Sequence, residues 1–320
     1  MISPRTVAIT GATGFVGSHL LRRHLAVGDR VRIFTRQDIS SSDFAGPVTV
    51  FRGDLCEQSD VLRDFLDGVD VLYHCAAELR DISRMFATNI IGTRNLAEAA
   101  ENNIGHWVQL SSVAIYGRQP DGLVYEGTNP NLHDRFATTE SKLEAEKLVV
   151  NSAHVGGFTY AILRPCKIYG AGMPDDSLRN VVKYIGKGFF FFIGKKGAPA
   201  NYVHVENVVE ALFLCGVHEA ARNHAFNICD AFTVEELVFA IARALGRPPP
   251  KLRVPKKVAM MWVRLAGRFF HNFPLTEDRV VGLTSRAIYC TEAIRGRLGY
   301  SPVVPLEDGI LDMVYKSHAT

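Results

Sequence analysis

The segment Arg135–Val149, RFATTESKLEAEKLV, sets Lys142 at the head of an apolar stripe formed by Leu143, Leu148 and Val149, with Ser141 beside it. An ammonium placed this way lowers the pKa of a neighbouring acid and brings proton transfer into the neutral range. Four residues earlier, where such an acid is most useful, stands Thr138. An aliphatic hydroxyl is several units weaker than a tyrosine, whose ordinary pKa is about 10. Thr138 can therefore hydrogen-bond a carbonyl, but it does not carry a proton at useful rates.

A second chemical signature lies near the start of the chain. In ITGATGFVGSHL, Gly11, Gly14 and Gly17 are spaced GxxGxxG between an apolar run and a helical pattern. The first glycine permits a tight turn, the second lets backbone approach a pyrophosphate, and the third lets the helix pack closely on a sheet. The helix N-terminus then offers free N–H groups and the positive end of its dipole to phosphates. The next strand ends RVRIFTRQD, where a dinucleotide lacking a 2′-phosphate usually meets a carboxylate. This chain has Thr35 and Arg36 there, which suits NADP(H) over NAD; Asp54 and Leu55, after the third strand, are placed to reach the adenine.

The elements that position these residues follow from periodicity. Thr6–Thr10, Arg30–Phe34, Val48–Phe51, Val69–Tyr73, His106–Leu110 and Thr159–Leu163 are short, largely apolar runs. Helical patterns separate them near Phe15–Val27, Ser59–Leu66, Ile82–Asn102 and Thr138–Asn151. Nearly all-apolar strands alternating with helices predict a parallel sheet covered on both faces. After Arg164 the alternation loosens into Gly- and Pro-rich loops, with helices expected near Val205–Val217, Val234–Leu245 and Lys257–Phe270. The expectation is an α/β chain: a Rossmann-type, doubly wound parallel sheet over residues 1–165, and a smaller C-terminal substrate domain over 166–320 from which some segments return to the first. The cleft between two such domains is the natural ligand site.

Composition narrows the class. The chain has 320 residues, 47% hydrophobic and 22% charged, with a formal net charge of +3. The short basic runs (Lys251–Lys257, Lys195–Lys196) lack interleaved aromatics, so nucleic acid is not the expected partner. Six scattered cysteines without a CxxC pair read as reduced core residues, not a disulfide or metal framework. The N-terminus enters a strand pattern at once, without signal-peptide anatomy, and a cytoplasmic location is expected. The apolar stretch KVAMMWVRLAGRFF is interrupted by Arg264 and Arg268 and is too short to span a bilayer; burial within the fold is expected over contact with a membrane surface.

Taken in order, TGATGFVG (Thr10–Gly17), GDL (Gly53–Leu55), HCAA (His74–Ala77), NIIGT (Asn89–Thr93), SSVAIYG (Ser111–Gly117), ESK (Glu140–Lys142), LRPCKIYGAG (Leu163–Gly172), YVHVENVVEA (Tyr202–Ala211) and LGYSPVVPLEDGI (Leu298–Ile310) resemble the extended short-chain dehydrogenases/reductases. The likeness is to the NAD-dependent epimerase/dehydratase group acting on nucleotide sugars, which also includes the 3β-hydroxysteroid dehydrogenases, and it covers essentially the whole chain. It implies an NAD(P)-dependent enzyme with a small-molecule substrate, and a homodimer built on the helices Ile82–Asn102 and Thr138–Asn151. By the same resemblance, Ser112 holds the reacting oxygen, and Lys142 grips the nicotinamide ribose and lowers the acid's pKa. The cofactor set becomes Gly11, Thr13, Gly14, Phe15, Val16, Gly17, Arg36, Asp54, Leu55, Ala76, Ala77, Asn89, Lys142, Pro165 and Ile168. Ser111, Lys167, Tyr169, Arg179 and Arg279 fall on the substrate side, the arginines as candidates for a diphosphate.

The family's acid is a tyrosine in a YxxxK spacing, and it falls on Thr138. Three explanations stay open. Another group takes the proton, with Tyr116, Tyr125, Tyr169, Glu126, Glu140, Lys167 and Lys142 itself on segments bordering the cleft. Alternatively, the chain binds a dinucleotide without turning it over, or the tyrosine has been deliberately replaced. The substrate is open too: a sugar nucleotide needs cations near the cleft, whereas a steroid-type alcohol needs an apolar tunnel walled by residues such as Phe189–Phe192.

Overall fold

The computed structural model describes residues 4–131, 136–269 and 275–316. Arg135 and Phe270, which open and close two of the expected segments, lie outside the described residues. Seven strands form one wholly parallel sheet: β1 (Thr6–Thr10), β2 (Arg30–Thr35), β3 (Val48–Arg52), β4 (Val69–His74), β5 (Ile104–Leu110), β6 (Thr159–Pro165) and β7 (His224–Ile228). Their spatial order is β3-β2-β1-β4-β5-β6-β7. The order reverses between β1 and β4, and that switch point opens a crevice at the carboxyl ends of the strands.

Helices cover both faces. On one side, α1 (Phe15–Ala26) lays Val16, Leu20 and Leu21 against the sheet together with Val208, Val209 and Leu212 of a later helix, Val205–Val217. On the other, α2 (Asp60–Leu66), α3 (Gly92–Ala100) and α4 (Ala137–Gly156) enclose Leu62, Phe65, Leu66, Leu96, Val149 and Ala153 with Trp107. This double covering explains why the strands lack polar/apolar alternation. One turn of π-helix, Ala87–Ile91, precedes α3.

The second half contributes to both layers. β7 extends the main sheet, and α5 (Asp176–Gly186), α6 (Val205–Val217), α7 (Val234–Ala244), α8 (Lys256–Phe269) and α9 (Leu306–Lys316) follow with short two-strand pairs. α6 docks on α1 through Arg23–Glu210 (3.1 Å) and His19–Glu206 (2.5 Å). A separate core of Leu178, Ile185, Phe192, Leu237, Ile241, Ile310 and Met313 joins α5, α7 and α9.

The stripe expected on α4 differs in detail. Its buried face carries Thr139, Ser141, Lys142, Ala145, Glu146, Val149 and Ala153, while Leu143 and Leu148 are only half-buried. The polar members are held by hydrogen bonds and one ion pair. Glu146 takes a forked pair from Arg164 of β6, with Nη2–Oε2 at 2.6 Å and Nε–Oε1 at 3.1 Å. The Arg164 Nη1 donates onward to the Tyr116 hydroxyl (2.8 Å) and the Glu126 carbonyl (2.9 Å), and the Tyr116 hydroxyl donates to Asn227 Oδ1 (2.8 Å).

Removing one partner of a buried pair leaves the other charge without compensation, which costs on the order of 3–5 kcal/mol. Glu146→Ala is therefore expected to lower unfolding free energy by about that amount, whereas Glu144→Ala, on the exposed face, changes it by less than about 0.5 kcal/mol. Equilibrium urea denaturation of both variants checks the contrast; equal effects would remove Glu146 from its structural role.

Candidate active site

The phosphate loop is built around backbone contacts that exclude side chains. Gly11 has φ +71°, and a Cβ there would lie 2.7 Å from Ala76 N. A Cβ on Gly17 would lie 2.1 Å from the Gly11 carbonyl oxygen. Gly14 caps α1 without any side-chain bond, and no acidic residue occupies the first turn. The first N–H groups of this helix thus face the crevice without an intrahelical partner, and the site fits a dinucleotide pyrophosphate. Thr13 and Gly14 are exposed and Val16 is buried. Phe15 reaches across towards Gly170, so the loop touches the Lys167–Tyr169 strand end.

At the end of β2, Arg36 lies 3.8 Å from Asp54, both partly exposed, while Arg52 takes Asp38 at 2.8 Å. Leu55 is buried, and its carbonyl accepts from Asn95 (2.9 Å). Ala76 and Ala77 are half-buried at the end of β4, directly across from Gly11. Beneath them, His74 is fixed in one tautomer. The Thr93 hydroxyl donates to the Asn89 carbonyl (2.7 Å), so it accepts from His74 Nε2–H (3.0 Å). Nδ1 then accepts from the Thr10 hydroxyl (2.6 Å). Burial, with Lys142 nearby, pushes this imidazole down to about 3, so it stays neutral.

Ser112 and Lys142 are both placed at the end of β5. Lys142 Nζ is buried and donates to the Leu110 carbonyl (3.0 Å). Ser112 follows two residues later as the cap of a tight turn, Val113–Tyr116, its Oγ accepting from Ala114 N (3.1 Å). Thr138 sits half-buried one turn before Lys142 on α4. Burial lowers the Lys142 ammonium to about 8, against smaller opposing effects of Cys75 and Glu146. Cys75 is itself pushed up to about 12 by burial and is no thiolate nucleophile.

Several expected roles change. Asn89 is engaged within the fold: its Oδ1 accepts from Glu78 N (2.8 Å), and its Nδ2 donates to the Glu78 carbonyl (2.9 Å) and Ser141 Oγ (3.1 Å). It braces the loop after β4 against α4. Tyr169 does not line an open cleft; its ring is wholly buried between Tyr202 and His204, against Gly309. Tyr116 is equally buried and committed to Arg164 and Asn227, and Glu126 Oε1 accepts from Asn227 N (2.9 Å). Neither side chain is a proton donor to the cleft. Ser111 Oγ is enclosed beneath the surface. Pro165 is buried and Ile168 half-buried, where β6 passes into the Lys167–Tyr169 strand. On the substrate side, Lys167 pairs with Asp175 (3.0 Å) and Arg179 with Asp176 (2.5 Å). Arg279, at the start of the short helix Glu277–Thr284, is exposed.

The His74 tautomer lock and the Arg164 network were missed in the sequence. The only signal was a histidine and an arginine at strand ends, where solvated charge is the ordinary reading.

Because the Lys142 ammonium is disfavoured in the folded chain, the unfolded chain binds more protons between about pH 8 and the ordinary lysine value. Stability therefore rises as pH climbs through that window, and below it the full penalty is present. Lys142→Met is expected to stabilise the ligand-free protein near pH 7 by roughly 2–3 kcal/mol, with the gain shrinking towards pH 10. Thermal denaturation across this range tests it; a Met variant less stable at pH 7 than the parent would refute the penalty.

Comparison with known proteins agrees with this geometry. The chain is 29% identical over 331 residues to a 3 beta-hydroxysteroid dehydrogenase/Delta 5-->4-isomerase of Mycobacterium tuberculosis, covering 96% of this chain and 88% of the relative. It is 27% identical over 329 residues to a UDP-glucose 4-epimerase of Vibrio cholerae, covering 96% and 93%. Among solved structures, MoeE5 in complex with UDP-glucuronic acid and NAD shares the fold with a TM-score of 0.76 at 23% identity, covering 98% of this chain and 99% of that one. Residues 7–229 match the model of one family, and the chain belongs to it: the NAD dependent epimerase/dehydratase family.

Proposed function

We propose that the chain performs NAD(P)-dependent redox chemistry at a carbinol carbon of a nucleotide sugar, by transient oxidation as in epimerases and dehydratases or by ketone reduction. The observation that carries this reading is the convergence of Ser112 and Lys142 on one strand end, beside a phosphate loop whose glycines admit no side chain. A bound nicotinamide would take up the hydride and return it in a transient oxidation, or donate it once in a ketone reduction. Ser112 and Thr138 hold the sugar oxygen by hydrogen bonds. Lys142 is the proton carrier in this reading: its ammonium titrates near 8, in the range where a general acid works efficiently. Arg36 supports acceptance of the 2′-phosphate of NADP(H). Exposed Leu79, Ile82 and Phe86 on the segment leading into α3 support a homodimer.

A second reading, a steroid-type alcohol dehydrogenase, is favoured by the ion pairs of Lys167 and Arg179. Arg179, a cation expected for a diphosphate, already pairs with Asp176, and Lys167 beside it pairs with Asp175; the M. tuberculosis relative is named for a steroid substrate.

Turnover assayed in parallel with UDP-hexoses and with a 3β-hydroxysteroid separates the two readings. Ser112→Ala is expected to cut kcat by about 10²-fold on the true substrate. Thr138→Tyr is expected to raise kcat and move the acidic role away from Lys142, seen as a shifted pH profile. Dinucleotide binding with no turnover of either class, before and after Thr138→Tyr, would instead mean a binding protein. Mass spectrometry of nucleotide released on denaturation adds the cofactor: retained NAD would contradict the NADP(H) preference.

A further inference from the structure

α8 was expected to be buried, and only one of its faces is. Ala259 and Val263, with Val258 and Met260, pack on Ile193, Val254 and Val280. The opposite face leaves Met261, Trp262 and Leu265 52, 46 and 50% exposed. Lys256, Lys257, Met260, Met261, Arg264 and Leu265 line an open groove of about 540 Å³. The helix sequence KKVAMMWVRLAGRF contains no carboxylate, and exposed Lys251 and Leu252 lie in the segment leading into it. Arg264 is partly offset by Glu277 (3.2 Å), which leaves the lysines to set the sign of the face.

We infer that the exposed face of α8 docks on an anionic phospholipid surface, lying in the plane of the headgroups. Large apolar side chains with an amphipathic indole, bordered by lysines and free of helix carboxylates, match the side-chain distribution of interfacial helices. The lysines complement acidic headgroups within a Debye length. A second copy of the chain complements this face poorly, because the helix carries cations and no carboxylate, so a self-complementary contact offers Lys256 and Lys257 no opposite charge from the partner helix. Among the described residues no helix is long and apolar enough to cross a membrane, so the attachment is peripheral. It is independent of which substrate reading holds, since binding is measured without turnover.

The two tryptophans make the test direct: Trp107 is wholly buried, so a change in emission on adding vesicles reports Trp262. With the full chain and equimolar phosphatidylcholine/phosphatidylglycerol vesicles, a blue shift and co-sedimentation are expected, both weakened by added salt. Phosphatidylcholine alone should give neither. Lys256→Glu/Lys257→Glu should reduce binding to the mixed vesicles at least about tenfold, with circular dichroism unchanged. Trp262→Phe should remove the blue shift while leaving salt-sensitive sedimentation. Absence of binding to the mixed vesicles, or equal binding to neutral ones, would overturn the inference. So would concentration-dependent self-association abolished by Met261→Glu, which would give the face to a second copy.

Discussion

The forked ion pair between Glu146 and Arg164 is the constraint on which the site depends. Glu146 lies one turn beyond Lys142 on α4, and Arg164 lies near the end of β6, so the pair sets both the rotation and the axial position of the helix over the sheet. The same guanidinium holds Tyr116, the last residue of the turn that Ser112 caps. Two groups that come from distant parts of the chain are thereby referred to one ionic node. A buried pair of this kind contributes little net stability relative to an apolar replacement. Its value here lies in register: a helix free to slide by one turn would carry Lys142 away from the Leu110 carbonyl.

The arrangement around that node is costly, and the cost is concentrated where chemistry is expected. Lys142 is buried with Leu110 as its hydrogen-bonded acceptor, while neighbouring groups are kept neutral. His74 is locked between two threonine hydroxyls and stays uncharged, and Cys75 stays a thiol. Burial thus brings the Lys142 ammonium down to about 8 while His74 and Cys75 beside it stay uncharged. Thr138, one turn before Lys142, offers an aliphatic hydroxyl that is far too weak an acid to share that titration. The brace of Asn89, Glu78 and Ser141 packs beside it.

The parallel sheet was legible because apolar strands of five to seven residues alternate with helical periods, and each expected strand of the sheet's first six is present. The glycine loop was legible because its spacing has a steric reason, visible in the 2.1 Å approach that any side chain on Gly17 would make. The buried face of α4 was not. Periodicity weights Leu143 and Leu148 above Lys142 and Glu146, yet the charged residues are the buried ones because their partners lie on β5 and β6. Tyr169 and Asn89 sit in motifs that point to a ligand, but the long-range contacts that commit them elsewhere have no local signature.

The same asymmetry explains why the chain declares its family more clearly than its substrate. The cofactor end is made of backbone approaches and buried pairs, each of which restricts residue type at a fixed spacing. The substrate end is made of two-strand fragments and exposed ion pairs such as Lys167–Asp175 and Arg179–Asp176. Exposed pairs are worth little and rearrange readily when a ligand offers a better partner. A diphosphate could draw those cations from their carboxylates, while an apolar alcohol would leave them paired. Exposed pairs of this kind place no steric restriction on residue type, whereas the glycine loop is fixed by sterics that leave no alternative at Gly11 or Gly17.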